Sequence, residues 1–141
     1  MADDCLFCRI VAGEIPAVVV FEDKNTIAFL DHRPLFPGHA LLVPREHSET
    51  LDDLPVAQVG PLFESAQILS RAVQIAMEAE GSFVAMNNRV SQSVPHLHVH
   101  VVPRRRKDGL KGFFWPRTKY KSAEEMQLVQ DKIAAALATE K

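Results

Sequence analysis

Seven residues, His96-Leu97-His98-Val99-His100-Val101-Val102, restrict this chain more than any others. Alternating polar and apolar residues mark a β-strand with one face in a core, because successive side chains point to opposite sides of the sheet. Leu97, Val99 and Val101 are therefore expected inside, with three imidazoles sharing the opposite, polar face. Strand surfaces ordinarily carry Lys, Glu and Thr, so a row of histidines points to chemistry. A metal ion is one reading, but neighbouring imidazoles start ~6.6 Å apart and the outer two ~13 Å apart at about 3.3 Å per residue. With zinc–nitrogen bonds of about 2.0–2.1 Å, one ion can hold two of them but hardly all three. Catalysis is the second reading, with one neutral imidazole as nucleophile or base and the others orienting it or binding charge. A histidine-rich strand without a role is the plain alternative.

The remaining composition is that of an ordinary soluble domain: 141 residues, 47% hydrophobic and 24% charged. A chain of this length buries roughly 70% of its unfolded surface and needs no disulfide staples, so one domain over 1–141 is expected. No apolar run approaches the ~18 residues of a membrane span. The start, Met1-Ala2-Asp3-Asp4, is acidic where a signal peptide is basic, so a cytoplasmic protein without a membrane partner is expected. Charge is unevenly placed: Arg104 to Lys121 holds eight basic residues and one acid, against eight basic and 17 acidic elsewhere. A local basic segment on an acidic body suits a compact anion such as a polyphosphate better than a nucleic-acid track, and no nucleic-acid partner is expected. The alternative is a solvated loop.

Apolar, β-branched runs predict strands at Ala17–Phe21, Thr26–Leu30, His39–Val43, Ser82–Asn87 and His96–Val102. Asp23-Lys24-Asn25 forms a turn, and Pro34 with Pro37-Gly38 marks a loop. After Asp52-Asp53-Leu54-Pro55, the stripe Leu62, Ala66, Leu69, Val73, Ala76 predicts a long helix that ends before Gly81. A last helix follows a capping box at Ser122-Ala123-Glu124-Glu125, with Met126, Val129, Ile133 and Leu137 as its buried stripe. Strands grouped around one long helix predict an antiparallel α+β fold of about five strands.

Cys5 and Cys8 are the only cysteines. A thioredoxin-like role needs a strand before the C-x-x-C pair, and none precedes it. A zinc site needs two further ligands, from histidine or carboxylate.

The alternating histidine strand resembles the signature of the histidine triad (HIT) family, His-φ-His-φ-His-φ-φ with φ apolar. The likeness extends to Cys5-Leu6-Phe7-Cys8-Arg9-Ile10-Val11-Ala12-Gly13-Glu14-Ile15-Pro16, to Phe29-Leu30-Asp31, and to Pro37-Gly38-His39-Ala40-Leu41-Leu42-Val43-Pro44-Arg45-Glu46-His47. It covers residues 5 to about 103. The domain then divides into an N-terminal arm (1–16), a core (17–103) and a basic, aromatic segment with the C-terminal helix (104–141).

The resemblance implies a HIT-like fold and a nucleotide hydrolase acting through a nucleotidyl-histidine intermediate. Its triad is His96, His98 and His100, and the middle histidine, His98, is the nucleophile. It implies phosphate contacts from His100 and Ser93, a leaving-group contact from Gln92, and Asn87 in the phosphate loop. Asp31 would bind ribose hydroxyls, Ile27 and Phe29 line the base pocket, and His39 hydrogen-bonds within the triad network. It implies zinc held by Cys5, Cys8, His47 and His96, which makes His96 structural, and commonly a homodimer. His32 has no counterpart role and reads as surface. The loop Asn87-Asn88-Arg89-Val90-Ser91-Gln92 lacks the glycines many members carry, which removes easy access to positive φ; Arg89 is a further candidate for phosphate. The basic segment, with Phe113-Phe114-Trp115-Pro116-Arg117, favours a dinucleoside polyphosphate such as diadenosine tetraphosphate as substrate. A purine nucleoside phosphoramidate is the alternative, as is a nucleotide-binding regulatory protein with incidental turnover.

Overall fold

The structure is a computed structural model that describes residues 4–110 and 117–140. It forms two compact units, Met1–Asp108 and Gly109–Lys141. Phe113, Phe114, Trp115 and Pro116, the aromatic part of the basic segment, lie outside the described residues.

The first unit is built on a five-stranded antiparallel sheet in the order β1-β2-β3-β5-β4. Its strands are β1 (Val19–Glu22), β2 (Thr26–Leu30), β3 (Ala40–Pro44), β4 (Gly81–Ala85) and β5 (Val99–Arg104). Asp23 sets the first hairpin: its Oδ1 accepts from the backbone N–H of Asn25 and Thr26 and from the Thr26 hydroxyl at 2.8–3.0 Å. A short aspartate side chain does this turn-making well because it mimics a backbone carbonyl. Gly38 has φ +98°, and a Cβ there would lie 2.6 Å from Met77 Cγ, so the turn into β3 needs glycine for two reasons.

Both faces of the sheet are covered. Helix α2 (Val56–Ala76) lays Leu62, Ala66, Leu69 and Val73 onto Ala28, Leu42, Leu97, Val99 and Val101. Ala76, the last member of the expected stripe, is exposed. On the opposite face sits α1 (Leu6–Val11), whose Phe7 joins Ile27, Phe29, Leu41 and Val43. Leu42, fully buried in the central strand, gives a direct check: Leu42→Ala should cost about 2–5 kcal/mol in urea unfolding.

The histidine strand departs from expectation at both ends: it runs on past Val102 to Arg104, and its regular pairing starts at Val99, not at His96. The reason for the late start is chemical: the His96 ring nitrogen Nε2 takes the Pro44 carbonyl at 2.9 Å, and Leu97 N–H turns to Ser48 O at 2.7 Å. The carbonyl and the N–H that would extend the ladder are thus committed elsewhere.

The second unit contains α3 (Ala123–Leu137), capped by Ser122 Oγ accepting from Glu125 N–H at 3.0 Å. Glu125 reaches Lys121 N–H in turn, one residue earlier than a capping box requires. The expected burial of Met126, Val129, Ile133 and Leu137 is not found, since α3 buries none of its residues. Helical spacing identified the apolar face but carries no information on what covers it. Among the described residues no helix is long and apolar enough to cross a membrane.

Candidate active site and metal-donor cluster

The triad rings lie beneath α1, so the face read as polar is buried: His96 is 0% and His98 3% exposed. Burial makes each ring's hydrogen bonds decisive, because an unpaired polar group there is costly. The His98 Nδ1 is 2.8 Å from the His96 carbonyl oxygen. A carbonyl only accepts, so Nδ1 carries the proton and the neutral ring's lone pair sits on Nε2. By the same logic His96 donates from Nε2 to Pro44 O, leaving Nδ1 as its free lone pair.

A second relay fixes His100. Leu35 N–H donates to His39 Nδ1 at 3.0 Å, so a neutral His39 carries its proton on Nε2. That Nε2 lies 3.0 Å from His100 Nδ1 and 3.7 Å from Asp31 Oδ2. His100 Nδ1 therefore accepts, and its Nε2–H is free to donate. Burial, and after it the repulsion a proton here would feel from charge on His98 or His39, pushes the His100 pKa down to about 4. Burial also lowers His39, although Asp31 pulls the other way. An unfolded histidine titrates near pH 6.5, so between that value and about 4 the unfolded chain takes up a proton that folded His100 refuses. Stability from this source is complete above pH 6.5 and is lost as pH falls toward 4. In NMR titration the His100 ring proton should show no step between about pH 5 and 8.

His98 and His100 line a cavity of about 560 Å³ together with Asp31, Phe29 and Ser93. This is the size range of small-molecule sites. Its apolar wall includes Leu6, Phe7 and Ile10 of α1 and Leu41 of β3. His32, read as surface from sequence, is exposed but also borders the cavity. Ile27 packs in the apolar cluster with Phe29 and does not border it. Gln92 and Asn87 are engaged locally: Gln92 bonds Arg89 N–H and Glu49 O, and Asn87 bonds Ser91 O. Neither borders the cavity.

The loop bends without glycine, with φ +74° at Arg89 and +63° at Ser91. Left-handed backbone costs a non-glycine residue about 1–2 kcal/mol. Arg89→Gly should therefore raise stability by roughly 0.5–1 kcal/mol in thermal unfolding, after allowing for glycine's greater unfolded freedom. The basic segment is partly neutralised: Arg104 pairs with Asp108 at 2.6 Å, Arg106 with Glu80 at 2.8 Å, and Arg105 bonds the Met77 carbonyl.

Cys5, Cys8, His47 and His96 form a four-donor cluster whose ligand atoms all lie within 4.8 Å of one another. Cys8 Sγ is 3.3 Å from His47 Nδ1 and 3.4 Å from His96 Nδ1, and Cys5 Sγ is 3.3 Å from His96 Nδ1. A tetrahedral ion with sulfur at 2.3 Å and nitrogen at about 2.05 Å would place such pairs about 3.6 Å apart, so the donor set fits a metal ion. The free His96 lone pair points to the same use. Burial, reinforced by the Cys5 thiol beside it, pushes the Cys8 thiol up to about 11. A bound cation would take both sulfurs as thiolates, beside the imidazole nitrogens they already face. Helix α1 falls within residues 1–16, which the sequence presents only as an arm. Its signal was the spacing of Phe7, Ile10 and Val11, with Cys5 Sγ capping the helix by accepting Cys8 N–H at 3.3 Å.

The HIT domain family model matches residues 12–107. The adenosine 5'-monophosphoramidase hnt1 of Schizosaccharomyces pombe is 33% identical over 135 residues, covering 94% of this chain and 98% of that protein. A crystal structure of a HIT family member from Bacillus subtilis superposes with a TM-score of 0.87 at 34% identity, covering 97% of this chain and 99% of that one. A Zn-bound histidine triad family protein from Mycobacterium smegmatis gives 0.74 at 34% identity over 99% and 100% of the two chains.

Proposed function

The chain belongs to the HIT family, and on that premise we propose that it is a hydrolase that cleaves a nucleotide at its α-phosphorus. The observation that carries this reading is the His98 tautomer, with Nδ1–H spent on the His96 carbonyl and the ring bordering the cavity. In the first step the Nε2 lone pair bonds to phosphorus as the bond to the leaving group breaks. The leaving group keeps the electron pair and takes a proton from solvent. His98 becomes a nucleotidyl imidazolium, whose positive charge strengthens the Nδ1–H···O=C bond already present. In the second step a water oxygen attacks phosphorus, the P–N bond breaks, the lone pair returns to Nε2, and the water's proton leaves to solvent.

The His100 Nε2–H and the Ser93 hydroxyl are the donors for the phosphoryl oxygens, held before charge develops there. Asp31 is the ribose acceptor, and Phe29 with Leu6 and Ile10 of α1 encloses the base. The four-donor cluster is a structural zinc site; its chemistry is to hold both cysteines as thiolates and keep α1 on the sheet. We also expect a cytoplasmic homodimer, as the family resemblance implies; β4, which ends the strand order of the sheet, exposes Val84.

A nucleoside phosphoramidate, not a dinucleoside polyphosphate, is the favoured substrate class. The activity named for the fission-yeast relative supports it, and so does the local pairing of Arg104 and Arg106, which leaves less free positive charge for a long polyanion. Comparing kcat/KM on an adenosine phosphoramidate with diadenosine tetraphosphate tests this. A clear preference for the tetraphosphate would overturn the substrate class while leaving the nucleophile in place.

A further inference from the structure

A hydrogen bond tolerates a spread of angles about its best geometry. The Nδ1–H bond of His98, together with the tether at Cβ, therefore sets the tautomer and the approximate orientation of the ring, and packing decides its exact plane. Among the described residues, two rings hold that plane: His100, with centroids 5.1 Å apart and planes at 64°, and Phe7, at 5.1 Å and 86°. Phe7 is itself locked. It is 5% exposed, meets Phe29 edge-on at 5.3 Å, and lies 6.0 Å from the His96 ring. It stands between Cys5 and Cys8 in the sequence, so the donor pair that pins α1 brackets the residue that contacts His98.

We propose that Phe7 is a positioning residue for His98, holding the imidazole in the plane from which Nε2 attacks. This rests on the reading of His98 as nucleophile. Phe7 also borders the cavity, so a role confined to gripping the nucleobase is the competing explanation. The two differ in what they change. A wall of the base pocket acts on nucleotide binding, whereas a positioning residue acts on the bond-forming step, where a misplacement of about 1 Å can cost on the order of 100-fold.

The test compares wild type, Phe7→Leu and Phe7→Tyr in rapid-quench formation of the His98 adduct from an adenosine phosphoramidate, with KM measured in parallel. Phe7→Leu is expected to slow adduct formation at least about 10-fold with KM changed less than about 3-fold. Phe7→Tyr, which keeps the ring, is expected to return the rate to within about 3-fold of wild type. Ring NMR of His98 in the resting protein should show one sharp environment in wild type and Phe7→Tyr, and exchange-broadened signals in Phe7→Leu. An unchanged rate in Phe7→Leu, or a rise in KM alone, would overturn the proposal. So would equal losses in the Leu and Tyr variants. Phe7→Met, closer to phenylalanine in length, answers the same question should Phe7→Leu not fold. If wild type itself forms no adduct on His98, the catalytic reading fails instead, which keeps the two failures apart.

Discussion

His98→Asn should lower kcat on a nucleoside phosphoramidate by on the order of 10⁴-fold or more while leaving nucleotide binding nearly intact. The size follows from what the residue supplies. Removing a nucleophile closes the two-step route, and the remaining donors stabilise only a much slower direct attack by water. The substitution should be tolerated structurally, because His98 sits at the cavity wall and asparagine can still donate toward the His96 carbonyl. His100→Asn makes the comparison. Losing one preorganised donor usually costs about 10²–10³-fold, so the two variants should differ by at least tenfold. Steady-state kinetics with direct measurement of nucleotide affinity checks both. Comparable losses in the two variants would place the nucleophile elsewhere.

The second large effect is on stability. Cys5→Ser or Cys8→Ser, or prolonged chelation of the wild-type protein, should lower stability by about 3–5 kcal/mol and Tm by roughly 10–20 °C. Small zinc modules owe the metal more, about 10–16 kcal/mol, because they have little other core. Here α2 and the sheet bury their own core, so the sheet should survive while α1 comes loose. The loss should also reach nucleotide binding, since Leu6, Phe7 and Ile10 form one wall of the cavity. Calorimetry with and without chelator, alongside metal analysis of protein purified without added metal, measures both. A zinc content below about half an equivalent in a fold indifferent to chelators would remove the site.

Patterns within short segments carried much of this structure in the sequence. The run Thr26–Leu30 alternates too little to assign faces, yet it is β-branched and bounded by Asp23 and Asp31, and it is β2 to the residue. Leu97, Val99 and Val101 face the α2 core as alternation requires. What alternation could not supply was the cover on the other face. A histidine row reads as polar, and only α1 beneath the N-terminal cysteines explains why His96 and His98 are nearly inaccessible. The same gap appears at α3, whose apolar spacing was plain while its burial was not. Burial depends on partners distant in sequence, which local periodicity does not encode.

The candidate site divides along similar lines. His39 and His100, 61 residues apart, meet at 3.0 Å, and Cys5 reaches His96 across 91 residues. The resemblance to the triad family brought these residues into one expectation, but it could not give the tautomers. Those follow from single backbone groups, Pro44 O, His96 O and Leu35 N–H, that no motif records. The glycine-free loop shows the reverse: absent glycines suggested an altered path, yet Arg89 and Ser91 adopt positive φ regardless. Backbone bonds from Arg89 N–H to Gln92 and from Leu51 N–H to Asn88 help hold that strain.

The most direct test of the account is to quench a single turnover of an adenosine phosphoramidate within the first milliseconds and map any covalent adduct by peptide mass spectrometry. An adenylyl group on His98, present in wild type and missing from His98→Asn, is the expected result. An adduct on His96, His100 or a cysteine, or full-rate turnover with no adduct at any time, would contradict it.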